Sequence, residues 1–255
     1  MVFQSPAEIA FYLFSYPVYW YGIILATSIF IGFYLADYLA KFRNIKSGFI
    51  LDSAFLLILV GLLGARLYYC LLNFTYYCSH PLQILDLRQG GLSIHGMLIA
   101  GAIAIYYLTK KHKIDIFSFL DVSVVAVALS QAIGRWGNYF NSEAFGLPTF
   151  SNWGLYVPLK NRPLEYVEYS LFHPTFLYES VLNLLLFLML FVLLKKIKKT
   201  GLVFSLYLIF YSLIRIFVEQ IRIDSAFNLF GIPIAQIISL ILLILGLGIF
   251  FVRRN

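Results

Sequence analysis

Seven long apolar runs dominate this sequence and leave few folds open to it. Each run holds about 18 to 23 residues, and a helix needs about 20 apolar residues to cross a bilayer core of about 30 Å. A membrane-spanning β-strand would be about ten residues long and would alternate in polarity. We therefore predict an all-α integral membrane protein with seven transmembrane helices, over residues 18–38, 50–72, 92–109, 116–133, 175–194, 202–221 and 232–252.

The composition excludes the other broad classes of protein. Hydrophobic residues make up 61% of the chain and charged residues only 12%, about half the share that a soluble domain carries. This balance is incompatible with a water-soluble globular protein and with an intrinsically disordered one. The length of 255 residues fits a single polytopic membrane domain that covers residues 1–255.

The placement of positive charge orients the predicted bundle. The net charge is +7, which in a soluble protein would suggest nucleic acid as a partner. Here twelve cations fall on one side of the predicted bundle, so we predict no nucleic-acid partner. Because positively charged loops stay in the cytoplasm, these cations predict an N-terminus outside and a C-terminus in the cytoplasm. These cations are Lys41, Arg43, Lys46, Lys110, Lys111, Lys113, Lys195, Lys196, Lys198, Lys199, Arg253 and Arg254. The longest connection, residues 134–172, then forms a small extracytoplasmic head.

The sequence contains no motif that would hold a cofactor or a metal. A P-loop, a nucleophile elbow, a zincin helix and a cysteine–histidine cluster are all absent from it. The two cysteines, Cys70 and Cys78, are eight residues apart, which matches no metal-binding spacing. They can be free thiols, or a disulfide if their end of the bundle faces an oxidising compartment.

Six ionisable residues fall inside the predicted spans, where a charge costs about 2.5–3.5 kcal/mol on insertion scales. They are Asp52, Arg66, Asp121, Glu179, Arg215 and Glu219. Such groups either form internal ion pairs that fix the helix register or line a functional site. On the sixth helix, Arg215, Glu219 and Arg222 are spaced i, i+4, i+7 and share one face. Two cations and one anion leave that face positive, which favours a function for Arg215.

The segment GRWGNYFNSE at 134–143 is the most unusual part of the chain. Arg135 is a cation on the side that is otherwise poor in cations, and the glycines allow the backbone to bend and to approach a ligand closely. Asn138 and Glu143 supply hydrogen-bonding groups at headgroup depth. Arg135 and Arg215 can bind one phosphate, because guanidinium groups match phosphate oxygens bidentately. The alternative is a polar helix end with ordinary capping.

Two more polar residues map to the outer half of the bundle. His95 lies in the first turns of the third helix, where a neutral imidazole can accept a proton, although a structural histidine is the alternative. Tyr21 enters the first helix at the same depth and can equally belong to an interfacial aromatic belt. Together with the arginines they predict a site for an anionic lipid headgroup. An enzyme, an anion transporter and a non-catalytic lipid scaffold are all compatible with such a site.

Five motifs resemble, in order, those of the prolipoprotein diacylglyceryl transferase family. They are WYG at 20–22, GGLSIHG at 90–96, GRWGNYFNSE at 134–143, the stretch from His173-Pro174 to Glu179, and the Arg215, Glu219, Arg222 pattern. The resemblance implies seven helices and a cofactor-free enzyme of the bacterial cytoplasmic membrane, with its active site on the extracytoplasmic side. Its substrates would be phosphatidylglycerol, taken from the lipid bilayer, and the lipobox cysteine of prolipoprotein signal peptides.

The resemblance also implies roles for individual residues. His95 would deprotonate the cysteine thiol, unless an arginine or a tyrosine assists instead. Arg135 and Arg215 would stabilise the charge on the leaving phosphate, while Tyr21, Asn138 and Glu143 would orient the headgroup or the arginines. Glu219, Arg222 and Gly146 would support these residues from behind.

Overall fold

Helices account for most of the chain. The computed structural model describes residues 2–86, 90–151, 153–223, 228–229 and 232–254, and only the backbone of 228–229. Within these ranges the helices are α1 (Trp20–Leu39), α2 (Phe49–Leu72), α3 (Phe74–Ser79), α4 (Ile94–Lys111), α5 (Ile116–Asn141), α6 (Thr175–Lys196), α7 (Leu202–Glu219) and α8 (Ile234–Arg254).

The helical membrane class is confirmed. Among the residues described, six helices are long and apolar enough to cross a bilayer, spanning Trp20–Arg43, Phe49–Leu72, Ile116–Asn141, Thr175–Lys196, Leu202–Glu219 and Ile234–Arg254. The seventh predicted span, 92–109, coincides with α4, whose 18 residues include His95, two glycines and two C-terminal lysines. These residues lower its mean hydropathy, and α4 is not among the six. A seventh crossing and the orientation of the termini therefore stay predictions.

The predicted end of the fourth span is wrong. It was placed at residue 133, but α5 continues to Asn141, so the first eight residues of the predicted head are helical. The helix continues through Gly134 and Gly137, and neither adopts a positive φ. Near the last two helices the differences are smaller: α7 ends at Glu219 rather than 221, and α8 begins at Ile234 after a short strand.

Short strands occur in the connections outside the α-helices. β1 (Val2–Phe3) pairs in parallel with β4 (Gly154–Tyr156), which pairs antiparallel with β5 (Leu171–Phe172). β2 (Ile9–Leu13) and β3 (Tyr16–Tyr19) form a hairpin, and β6 (Asn228–Leu229) pairs with β7 (Ile232–Pro233). The small head that follows α5 has its own apolar core, formed by Phe145, Leu155, Val157, Phe172 and Phe176.

The chain divides into two compact units. One comprises residues 1–36 and 120–255, and the other comprises residues 37–119. In the first unit α7 packs against both α6 and α8, and in the second α2 packs against α4. Cys70 is buried, Cys78 is exposed, and both are free thiols in the second unit. The single domain over 1–255 stays a prediction.

Three of the charged residues in the predicted spans, Asp121, Arg66 and Asp52, either bind backbone groups or lie exposed. Buried Asp121 accepts hydrogen bonds from the backbone N–H groups of Gly201 (3.0 Å) and Phe204 (2.7 Å), and thereby caps the N-terminus of α7. Buried Arg66 donates to backbone carbonyl groups rather than to a carboxylate. Asp52 lies exposed in the first turn of α2. The expectation of internal ion pairing is thus wrong for Arg66.

Candidate active site

Three helix ends bring the predicted arginines together. Arg135 lies in the last two turns of α5, Glu179 in the second turn of α6, and Arg215 and Glu219 in the last two turns of α7. Because α6 begins at the face where α5 and α7 end, these side chains lie at one level of the bundle. The spacing of Arg215 and Glu219 places both on the side of α7 that contacts α6.

A buried carboxylate is the centre of this cluster. Glu179 is 0% exposed, and its Oε2 lies 2.5 Å from Nη2 of Arg135 while its Oε1 lies 2.6 Å from Nη1 of Arg215. Nη2 of Arg215 lies 2.8 Å from Oε2 of Glu219, and Nη1 of Arg222 lies 3.9 Å from Oε1 of Glu179. The two arginines predicted to share a phosphate therefore share a carboxylate.

The cluster carries a positive charge on its accessible side. Three guanidinium groups and two carboxylates give a formal charge of +1. The carboxylate side chains are 0% and 2% exposed, whereas those of Arg135, Arg215 and Arg222 are 21%, 11% and 17% exposed. The anions thus lie behind the cations, and an incoming anion can reach the partly exposed guanidinium groups of Arg135 and Arg215. In such a partly dry place, charge-assisted hydrogen bonds are strong.

Polar side chains extend the cluster along the end of α5. Nη1 of Arg135 lies 3.5 Å from Oδ1 of Asn138, and Nδ2 of Asn138 donates to Oε1 of Glu143 over 2.8 Å. The backbone N–H of Glu143 donates to the carbonyl of Asn138, and the residues on both sides, Ser142 and Ala144, have positive φ angles of 51° and 56°. This strained turn directs Glu143 back toward α5.

Tyr21 contacts the same part of α5. A Cβ atom at Gly137 would lie 2.9 Å from Cδ2 of Tyr21, so the missing side chain allows the tyrosine ring to lie on the helix backbone. Tyr21 and Glu143 also line an open cavity of about 820 Å³. The salt bridge between Lys160 and Glu8, with an N–O distance of 2.7 Å, borders this cavity.

Gly146 connects the head to the residues that follow α7. It forms an isolated antiparallel bridge with Arg222, and its N–H donates to the carbonyl of His173 over 2.9 Å. A Cβ atom there would lie 2.8 Å from Cγ2 of Ile221 and 3.0 Å from Cγ2 of Thr175. Only glycine fits between these two side chains, and the bridge that it forms fixes the backbone that carries Arg222.

His95 belongs to the second unit and is described within it. It lies in the first turn of α4, is exposed, and its ring centroid is 6.2 Å from that of Tyr68. Tyr21, Arg135, Asn138, Glu143, Gly146, Arg215, Glu219 and Arg222 all lie in the first unit. The participation of His95 in the site stays a prediction.

Glu179 is a site residue that the sequence alone does not reveal. In the sequence it is a charge within a span and the end of a family motif, and Glu219 is the carboxylate that spacing pairs with the arginines of α7. The signal that points to Glu179 is the excess of arginine: three cations at one depth need a second carboxylate. That carboxylate had to come from another helix, and sequence spacing gives no distance between helices.

Comparisons with known proteins show which family the chain belongs to. A family described as prolipoprotein diacylglyceryl transferase matches residues 8–252. A protein of Synechocystis sp. named phosphatidylglycerol–prolipoprotein diacylglyceryl transferase is 44% identical over 96% of this chain and 88% of its own length. Proteins of the same name from Parasynechococcus marenigrum and Prochlorococcus marinus are 41% and 40% identical, over 100% and 98% of this chain and 96% and 93% of their own lengths. The chain belongs to the prolipoprotein diacylglyceryl transferase family.

Proposed function

We propose that this protein transfers the diacylglyceryl group of phosphatidylglycerol to the lipobox cysteine of prolipoproteins, the first step of bacterial lipoprotein maturation. The observation that carries the proposal is the meeting of Arg135 and Arg215 on the two oxygens of Glu179, at 2.5 and 2.6 Å. Two guanidinium groups that converge on one carboxylate are also close enough together to contact one phosphodiester. The names of the relatives supply the two substrates.

The reaction replaces a carbon–oxygen bond with a carbon–sulfur bond. The cysteine thiol loses its proton to a base, and the thiolate attacks the glycerol carbon that carries the phosphate. The carbon–oxygen bond to the phosphate breaks, a thioether forms, and glycerol 1-phosphate leaves with the bonding electrons. A free thiol is only a few per cent ionised near neutral pH, so a base accelerates the step. His95 is our candidate for that base.

The residues around the arginines orient them and the headgroup. As the bond to phosphate breaks, negative charge grows on the leaving oxygen, and Arg135 and Arg215 stabilise it. Asn138, which Glu143 holds by a hydrogen bond, restricts the orientation of the Arg135 side chain, and Tyr21 covers the backbone of α5 beside them. Glu219 and Arg222 hold the α7 side, and Gly146 fixes the backbone next to Arg222.

We also propose seven membrane crossings, with α4 as the one that is not among the six apolar spans. An odd number of crossings agrees with the charge pattern, because it puts the loops that hold the twelve cations on the C-terminal side. The arginine cluster, formed by Arg135, Arg215 and Arg222 with Glu179 and Glu219, then lies on the extracytoplasmic side of the bacterial cytoplasmic membrane. There the acyl chains of phosphatidylglycerol can stay in the bilayer while the headgroup enters the site.

The proposed activity is tested with purified protein in liposomes of phosphatidylglycerol and a peptide that carries a lipobox. We expect the peptide mass to increase by one diacylglyceryl group, with the release of one equivalent of glycerol phosphate. A peptide with serine in place of the cysteine is the matched control and should remain unmodified. Glycerol phosphate release without peptide lipidation, or flux of anions without either product, would contradict the proposal.

A further inference from the structure

A buried arginine outside the arginine cluster donates all the N–H groups of its guanidinium to the backbone of one loop. Arg66 on α2 is 5% exposed, and its Nε donates to the carbonyl of Ile84 over 2.9 Å. Nη1 donates to the carbonyls of Gly90 (2.7 Å) and Gly91 (3.1 Å). Nη2 donates to those of Gln83 (2.5 Å) and Asp86 (3.0 Å). Five N–H groups thus meet five carbonyl groups of residues 83–91, which leaves the group no donor for a lipid phosphate.

The loop is shaped to fit this guanidinium group. Gly90 and Gly91 have φ angles of +78° and +72°, the left-handed region that glycine adopts without strain. A Cβ atom at Gly91 would lie 2.6 Å from Nη1 of Arg66 and 2.7 Å from Cε1 of Tyr69, whereas one at Gly90 would meet nothing within 4 Å. The carbonyls of both glycines contact Arg66, but only at Gly91 would an added side chain collide with the arginine.

The same part of α2 holds the beginning of α4. The carbonyl of Ala65 accepts a hydrogen bond from the N–H of Ser93 over 3.0 Å, immediately before α4 begins. A Cβ atom at Gly96 would lie 2.3 Å from the carbonyl oxygen of Gly64, so the two helix backbones are in contact. His95 lies between these two fixed points, with its ring 6.2 Å from that of Tyr68. Residues 64–69 of α2 thus hold the backbone on both sides of His95.

We propose that Arg66 is a positioning residue for the diacylglyceryl transfer and acts through His95. It fixes the backbone at residues 83–86 and 90–91 and so sets the position from which α4 presents the imidazole. This inference rests on the proposed function, because it gives His95 the role of thiol base. Lysine cannot replace Arg66, because an ammonium group has three N–H donors and no planar fork to match five carbonyls.

A double-mutant cycle tests whether Arg66 acts through His95. We expect R66K and H95Q each to lower kcat at least tenfold with little change in the KM for phosphatidylglycerol. Residues that act as one unit are not additive, so R66K/H95Q should be no more than about twofold slower than the slower single variant. A loss of folded enzyme would multiply with the effect of H95Q instead. A double variant whose loss is the product of the single losses overturns the proposal.

The two glycines provide a second test that does not alter Arg66. Gly91→Ala places a methyl group against the guanidinium, and Gly90→Ala places one in open space with the same backbone strain. We expect Gly91→Ala to lower kcat at least tenfold more than Gly90→Ala and to increase hydrogen exchange across residues 83–93. Equal effects of the two alanines would overturn the proposal, even if R66K failed to fold.

A separate variant distinguishes this inference from the proposed function. R135K alters the arginine cluster in the other unit, and its loss of activity tests the headgroup site alone. If R135K keeps full activity, the proposed function fails. If R135K is inactive and the R66K and H95Q losses multiply, only the positioning role of Arg66 fails.

Discussion

Glu179 explains how three arginines can lie together inside a membrane protein. Arg135, Arg215 and Arg222 would repel one another at this depth, and a buried carboxylate that contacts all three removes most of that repulsion. The carboxylate also sets the spacing of the guanidinium groups before any substrate arrives. Preorganised charge of this kind stabilises a transition state without further rearrangement.

Replacement of Arg135 by lysine should lower kcat at least a hundredfold. Lysine keeps the charge but loses the fork that contacts Oε2 of Glu179 and Oδ1 of Asn138 together. The loss of one preorganised donor to a developing anion costs about a hundredfold to a thousandfold. The measurement is turnover of the lipobox peptide in phosphatidylglycerol liposomes. Arg254→Lys at the exposed end of α8 is the matched control, and equal turnover in the two variants would refute the contact.

Replacement of Glu179 by glutamine should impair both stability and turnover. The amide keeps the shape but leaves three guanidinium groups with one carboxylate, and removal of one partner from a buried pair costs about 3–5 kcal/mol. We expect a lower midpoint of thermal unfolding in detergent and a loss of most activity. Glu8→Gln, which removes the exposed partner of Lys160, is the control and should unfold at the wild-type temperature. An unchanged midpoint for Glu179→Gln would show that the pair does not stabilise the fold.

At the scale of elements, the site depends on where helices end. The final eight residues of α5 carry Arg135 and Asn138 in helical register, so these side chains project at positions that a loop would not fix. Gly137 on the same stretch lets Tyr21 of α1 lie against the helix. Gly137 therefore serves helix packing rather than a bend.

A pair of glycine variants tests that interpretation. In Gly137→Ala the new methyl group would lie 2.9 Å from the Tyr21 ring, whereas in Gly134→Ala it would meet nothing within 4 Å. Overpacking of this kind costs about 1–3 kcal/mol. We expect Gly137→Ala to lose stability and at least tenfold in turnover while Gly134→Ala stays close to wild type. The checks are thermal unfolding and peptide lipidation. Two variants that behave alike would exclude the packing role.

Sequence patterns predicted the helices better than they predicted the site. Long apolar runs located α1, α2 and α6 within a few residues, because hydrophobic length is itself the constraint that a bilayer imposes. They misplaced the end of α5, because the polar residues after 133 resemble a loop although they continue the helix. The contact of Arg135 with Glu179 joins α5 to α6, and the spacing of residues along either helix does not predict a distance between the two helices.

At the scale of the whole molecule, orientation decides which compartment the arginine cluster serves. The lysines after α1, α4 and α6 and the arginines at the end of α8 lie on the side that the charge rule assigns to the cytoplasm. Cys78 lies in α3, in the connection between α2 and α4, and the charge rule assigns this connection to the outside. The native cysteines make this assignment measurable.

Cysteine labelling should reveal the orientation. We expect a membrane-impermeant maleimide to label exposed Cys78 in intact spheroplasts and to leave buried Cys70 unmodified. Cys78→Ser should abolish the labelling. Lys198→Cys in the Cys78→Ser background should be labelled only after the membrane is permeabilised, because Lys198 lies between α6 and α7. Labelling of residue 198 in intact spheroplasts would reverse the proposed topology.

The balance of charge around Arg135 and Arg215 bears on the end of the catalytic cycle. Glu179, Glu219 and Glu143 lie close to the three arginines, so the described residues offer no surplus of cations for a second negative charge on a ligand. A phosphodiester carries one negative charge, whereas the departing phosphomonoester carries about 1.5 to 2 at pH 7. Uncompensated charge is costly where solvent is scarce. The site thus favours the lipid over the product, so turnover measured with added glycerol phosphate should resist inhibition.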